Sequence, residues 1–163
     1  MKPSPLLWII APSSDSFDLA RLPWCEAASD RISVNPAKFQ NLEMVEVIVD
    51  AMAFVLSRLT AAEAVPYFSG MEGRSHLPAG TMPSGAAVGV AIGENLLSAG
   101  HLPEIHQRLL LLGQWIGESL DATAAVWIPG RSAMGFADYR DAVKDQISGG
   151  PTPFRAPVQA AGY

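Results

Sequence analysis

Residues 86–128 contain two apolar runs that flank an amphipathic stretch. The runs Ala86 to Ile92 and Ala124 to Ile128 have the length and composition of buried strands. Between them, residues 103–121 begin with a proline suited to a first helical turn and carry one apolar stripe: Ile105, Leu109, Leu112, Ile116 and Leu120. The segment is therefore predicted to be a βαβ unit whose two strands run parallel, joined by a right-handed crossover.

A second helix is predicted over residues 41–64. Asn41 is a suitable N-cap. Apolar residues then follow at helical spacing: Leu42, Val45, Val49, Met52, Leu56 and Leu59. The apolar stripe is wide, so this helix is expected to be central or to be shared with a partner. The candidate interface residues are Val45, Val49, Met52 and Leu56.

These helices suggest two βαβ units in succession. The first and looser unit would use strand 5–11 or strand 31–34, helix 41–64 and then residues 65–69. Two such units predict an α+β fold, a ferredoxin-like sandwich with a mixed sheet and two long helices on one face. A doubly wound α/β sheet is the alternative. Residues 1–148 are expected to form one domain, and residues 149–163 a Pro/Gly-rich tail.

Composition excludes several classes of function. The 163 residues are 49% hydrophobic and 17% charged, which favours one packed domain over a disordered chain. The net charge is −5 and Lys and Arg form no run, so nucleic-acid binding is not expected. The apolar run 6–11 is shorter than a signal-peptide core, and none approaches the ~18 residues of a membrane span. With a single cysteine, Cys25, no intrachain disulfide is possible, and a cytoplasmic location is the expectation.

The tripeptide Gly-Arg-Ser occurs twice, at residues 73–75 and 130–132, which chance alone explains in a chain of this length. The second copy nevertheless lies after a strand and shortly before a helix, where α/β folds bind ligands and helix amides favour anions. A candidate anion site would therefore form in a cleft between loops 70–85 and 129–135. Its residues would be Arg74, His76, Arg131 and Ser132. Alternatively, Arg131 is a solvated loop residue or pairs with an aspartate, Asp138.

No catalytic residue, metal site or cofactor is predicted. A G-x-S-x-G nucleophile turn and a glycine-rich phosphate loop are both absent from the sequence. The i, i+4 spacing of helical metal ligands is missing among the three histidines, His76, His101 and His106. The large aromatic residues are interpreted as core or rim packing rather than as a cleft lining: Trp115, Trp127 and Tyr139.

The C-terminal third of the chain contains a recognisable series of short patterns. A helix ends in Gly-Glu-Ser-Leu-Asp-Ala, a strand reads Ala-Ala-Val-Trp-Ile-Pro, and an Arg-Ser loop precedes Phe-Ala-Asp-Tyr-Arg-Asp-Ala-Val. This part resembles a family of bacterial domains of unknown function, which share an Ala-rich helix end, a similar strand and a helix opening on Phe. The resemblance implies a bacterial α+β domain and supplies no catalytic residues.

Two functions are compatible with the sequence. The first is a non-catalytic protein-interaction, regulatory or adaptor domain that self-associates, because helix 41–64 is so apolar and no catalytic set is apparent. Its partner would be a second copy of the chain or another protein. The second is a small-molecule binding protein or enzyme that holds an anionic ligand in the predicted cleft.

Overall fold

The computed structural model describes residues 5–12, 19–22, 24, 28, 30–35, 44–60, 62, 86–130 and 132–149. Within these residues the chain forms a sheet and two α-helices. The strands are β1 (Leu7–Ile10), β2 (Ile32–Asn35), β3 (Met44–Val49), β4 (Met52–Leu59), β5 (Ala87–Ile92), β6 (Ala124–Trp127) and β7 (Ser132–Gly135). The helices are α1 (Pro103–Leu120) and α2 (Phe136–Ile147), with 3₁₀ helices at Leu19–Arg21 and Glu94–Ala99. None of these described helices has both the length and the apolar composition that crossing a membrane requires.

The seven strands form one sheet in the order β2-β3-β4-β5-β1-β6-β7, and every neighbouring pair is antiparallel. The predicted α+β class is confirmed. The predicted mixed sheet is wrong, because no described pair is parallel. The doubly wound alternative is wrong for the same reason, since it requires mostly parallel neighbouring strands.

The C-terminal unit follows the sequence prediction closely. Strand β5, helix α1 and strand β6 occur where expected. Strands β5 and β6 run in the same direction, because each pairs antiparallel with β1. Strand β1 therefore lies between them, with Leu7 opposite Val90 on one side and Trp127 on the other. The unit is a split βαβ rather than one with adjacent strands.

The predicted helix over residues 41–64 is wrong. Residues 44–59 form a hairpin in which β3 and β4 pair from Met44 opposite Ser57 to Val49 opposite Met52. Asp50 and Ala51 make the two-residue turn, and both have positive φ angles, 49° and 67°, as a type I′ turn requires. The β-branched residues of β3 favour a strand because a helix restricts their χ1 angles. The expectation of two long helices on one face fails with this helix.

The apolar residues of both sheet faces are buried. One face packs with α1 and α2 in the main core, to which β1 contributes Leu7 and Ile9. The other face has two smaller clusters, one around Trp8 and one around Val55, and no described helix contributes a buried residue to either. Strands that are buried on both faces lose the polar–apolar alternation that normally identifies them in a sequence.

The two α-helices pack closely because α1 has glycines on the side that faces α2. A Cβ atom at Gly117 would overlap the ring of Phe136, and one at Gly113 would lie 2.6 Å from the Tyr139 hydroxyl oxygen. That hydroxyl is fully buried and donates a hydrogen bond to the Leu110 carbonyl oxygen at 2.6 Å. Burial raises the pKa of Tyr139 well above its ordinary value.

Candidate functional site

Most of the predicted cleft lies outside the described residues. This applies to Arg74, His76 and Arg131. Ser132 is described and is the first residue of β7, so it lies in a strand and not in the predicted loop 129–135. The convergence of these four residues on an anion therefore stays a prediction.

Ser132 is fully buried, and its hydroxyl has no hydrogen-bond partner within the described part of the chain. It lies opposite Trp127 in the β6–β7 pair, so the two side chains share one face of the sheet. The ring of His106, on α1, contacts the Trp127 indole edge-on, with ring centroids 5.9 Å apart. A buried hydroxyl without a partner costs on the order of 1–3 kcal/mol, and one such group does not by itself define a ligand.

The four predicted interface residues lie on the hairpin. Val45 and Val49 of β3 and Leu56 of β4 are buried, and Met52 is half-buried beside the turn. All four belong to the helix-facing core or pack against it. The apolar stripe that suggested an interface is therefore the protein's own interior, and the interface prediction loses the helix on which it rested.

A different group of residues does converge at the protein surface. Asp50, at the tip of the β3–β4 turn, accepts two hydrogen bonds on the same carboxylate oxygen, Oδ2. Arg31 donates one from Nη2 at 2.6 Å, and Arg108 donates the other from Nε at 2.7 Å. The side chains of Arg31, Asp50 and Arg108 are 41%, 33% and 31% exposed. We call Arg31 and Arg108 the arginine pair.

Three structural elements place these groups. The type I′ turn projects Asp50 beyond the ends of β3 and β4. Arg31 directly precedes β2, and its guanidinium carbon lies 5.2 Å from the centroid of the Trp115 ring, within cation–π range. Arg108 and Trp115 are seven residues apart on α1, so they lie on the same side of the helix. Trp115 is itself buried and gives Arg31 a rigid support.

Two guanidinium groups facing one carboxylate leave a net single positive charge in a protein whose overall charge is −5. The hydrogen bond from Arg31 is the main cause that lowers the pKa of Asp50, and Arg108 adds to it, so Asp50 stays ionised at neutral pH. Each guanidinium uses one of its N–H groups, and its remaining donors have no partner among the described residues. The arrangement can tie β2, the hairpin and α1 together, and it can also bind a second anionic group.

Sequence reasoning did not find this group. Arg31 and Arg108 are 19 and 58 residues away from Asp50 along the chain, so no local motif contains them. The helix predicted over residues 41–64 also left no turn at Asp50. The only local signal was the seven-residue spacing of Arg108 and Trp115, which puts a cation beside an aromatic ring on one helix side.

Among the described residues, no group of three or more His, Cys, Asp or Glu side chains is placed to hold a metal ion. Trp115, Trp127 and Tyr139 are buried, as core or rim packing predicts. In comparisons with known proteins, no protein-family model, no curated protein and no solved structure matches this chain.

Proposed function

We propose that the protein is a non-catalytic interaction domain that binds an acidic segment of a partner protein through the arginine pair. The observation that carries this proposal is the convergence of Arg31 and Arg108 on one point at the surface, where most of their N–H donors have no partner among the described residues. Arginine supported by a tryptophan is typical of binding hot spots, because the planar guanidinium loses little conformational freedom on binding.

The fold supports the binding of a segment at this position. The arginine pair lies where β2, the hairpin turn and α1 meet, so it is held by three elements of regular structure. Sites on regular elements keep their geometry better than sites on loops. We also propose a ferredoxin-like arrangement of β1 with the C-terminal strands and helices, which the split β5–α1–β6 unit around β1 supports.

A direct test is the binding of a short fluorescent Glu-rich peptide, measured by anisotropy at low and at physiological salt. We expect saturable binding that weakens with salt, no binding of the matching Gln-rich peptide, and at least an approximately tenfold loss in R31Q/R108Q. The control variant R140Q/K144Q removes the same charge from α2 and should bind as the wild type does. Equal binding by R31Q/R108Q, or none by the wild type, would overturn the proposal.

A small anionic molecule is the alternative ligand, because carboxylates and phosphates present the same oxygens to a guanidinium group. Succinate and inorganic phosphate distinguish the two sources when they compete with the peptide. An extended acidic segment makes several contacts, so we expect neither small anion to displace it at concentrations near the peptide's own Kd. Displacement at such concentrations would assign the site to a free small molecule.

Self-association, predicted from the sequence, stays a proposal, and the arginine pair could mediate it. Helix α2 exposes Asp138, Asp141 and Asp145 at helical spacing, so a second copy of the chain is itself an acidic partner. Sedimentation velocity over a dilution series gives the oligomeric state. A dimer that R31Q/R108Q dissociates would make the second copy the partner, and a monomer at all concentrations would make it a different protein.

A further inference from the structure

The arginine pair already holds a carboxylate, that of Asp50. This observation bears on how the site proposed above is regulated. We infer that Asp50 is an internal competitor for the arginine pair: its carboxylate occupies the position that a partner's carboxylate would take, and binding requires its displacement. The inference rests on the proposed function and adds a built-in limit on affinity.

The geometry places Asp50 at the point of convergence. Both hydrogen bonds end on the same oxygen, Oδ2, so the two guanidinium groups are aimed at one position in space and that position is filled. A second carboxylate can reach the remaining donors only beside the first. Two like charges at such short range repel each other, even at the surface. An incoming acidic group therefore binds well only when Asp50 moves.

The turn holds Asp50 in place without locking its side chain. Its backbone is set by the hairpin, in which Val49 pairs with Met52 on either side of the turn. Its carboxylate is one-third exposed and has no described partner beyond the arginine pair. Exposed ion pairs contribute little to stability. Rotation of the Asp50 side chain into solvent is therefore a small penalty that a partner with several contacts can overcome.

The chain offers a matched pair of substitutions for a test. Asp50→Asn keeps the shape of the side chain and suits the positive φ of 49°, because asparagine tolerates the left-handed region well. It removes the charge that holds the guanidinium groups. Asp121→Asn is the control. Asp121 follows the last residue of α1, is also exposed, also has a positive φ of 52°, and does not contact the arginine pair. Both substitutions change the net charge equally.

The measurement is the Kd for the Glu-rich peptide in the full chain. We expect D50N to bind about tenfold more tightly than the wild type, D121N to bind within about twofold of it, and D50N/R108Q to lose the gain. Equal or weaker binding by D50N would overturn it and make Asp50 a residue that positions the arginines, while wild-type binding would leave the proposed function intact. Absence of binding in every variant would overturn the proposed function and this inference with it.

Discussion

The two sides of α1 are built differently. On the side facing α2, Gly113 and Gly117 leave no room for even one added carbon atom beside Phe136 and Tyr139. On the opposite side, Arg108 lies at the surface and pairs with Asp50 of the hairpin turn, with which Arg31 also pairs. Close packing against α2 therefore determines where α1 lies. The charged side of α1 presents Arg108 at that position and contributes little to stability. The predictions below test this division.

The largest effect is expected at Gly117. Replacing it with alanine places a Cβ atom in overlap with the Phe136 ring, so either the ring or the two helices must shift. Overpacking of this kind costs about 1–3 kcal/mol. Alanine is otherwise the better helix former by about 1 kcal/mol, so destabilisation would run against intrinsic helix propensity. Urea denaturation followed by circular dichroism gives the change in unfolding free energy.

A double variant tests whether overlap with the Phe136 ring causes the destabilisation by G117A. The double variant G117A/F136A removes the ring that the new methyl group meets, so it should be more stable than the sum of the single changes predicts. Gln107→Ala, on the same helix and away from α2, should change stability by less than about 0.5 kcal/mol. A G117A protein as stable as the wild type would show that the α1–α2 contact is loose.

Tyr139→Phe removes the buried hydrogen bond to Leu110 and should cost about 0.5–1.5 kcal/mol at neutral pH. Because burial raises the pKa of Tyr139, the folded state keeps the proton at a pH where the unfolded chain releases it. Wild-type stability should therefore fall as the pH rises above the ordinary tyrosine pKa of about 10, up to the pKa of the folded state. The urea midpoint of Y139F should fall less over this range, and a parallel decline would contradict the assignment.

The sequence predicted β5, α1 and β6 because each of these elements has a local signal, whereas β7 was predicted as a loop. Pro103 begins α1 as expected, and α2 begins at Phe136, as the resemblance implied for a helix opening on Phe. The hairpin was not predictable in the same way, because its strands are apolar on both faces and its turn lacks glycine, asparagine and proline. Apolar residues at 45, 49, 52 and 56 then match helical spacing as well as strand spacing.

The charged site could not be read from the sequence for a related reason. Arg31 directly precedes β2, Asp50 lies in the turn and Arg108 lies on α1, so the three residues meet only once the hairpin has formed. The site therefore cannot be predicted from the sequence unless the turn is predicted first. Ala51 makes the turn hard to predict, because alanine rarely adopts the φ angle of 67° that this residue has.

Ala51→Gly should therefore stabilise the protein by about 0.5–1 kcal/mol. Glycine adopts positive φ without steric cost, which outweighs its larger entropy loss on folding. Thermal unfolding should show an increase in Tm of a few degrees. Ala53→Gly, two residues further along β4, is the control and should destabilise, because glycine weakens a strand. A decrease in Tm for A51G would argue against a type I′ turn at Asp50.

The smallest effect is expected from the charge of Asp50. The arginine pair lowers the pKa of Asp50 in the folded state, so its contribution to stability is present above the unfolded pKa of about 3.9 and is lost as the pH falls through the folded value. The wild type should exceed D50N in stability by less than about 1 kcal/mol at neutral pH, and this difference should shrink at an acidic pH below the unfolded pKa and in high salt. Urea midpoints of the two proteins at both pH values measure it, with D121N as the control.

A difference of several kcal/mol would make the charged side of α1 as important to folding as the glycine side. A small difference together with tighter peptide binding by D50N would separate the two sides by role, because the same substitution would then cost little stability while it changes affinity about tenfold.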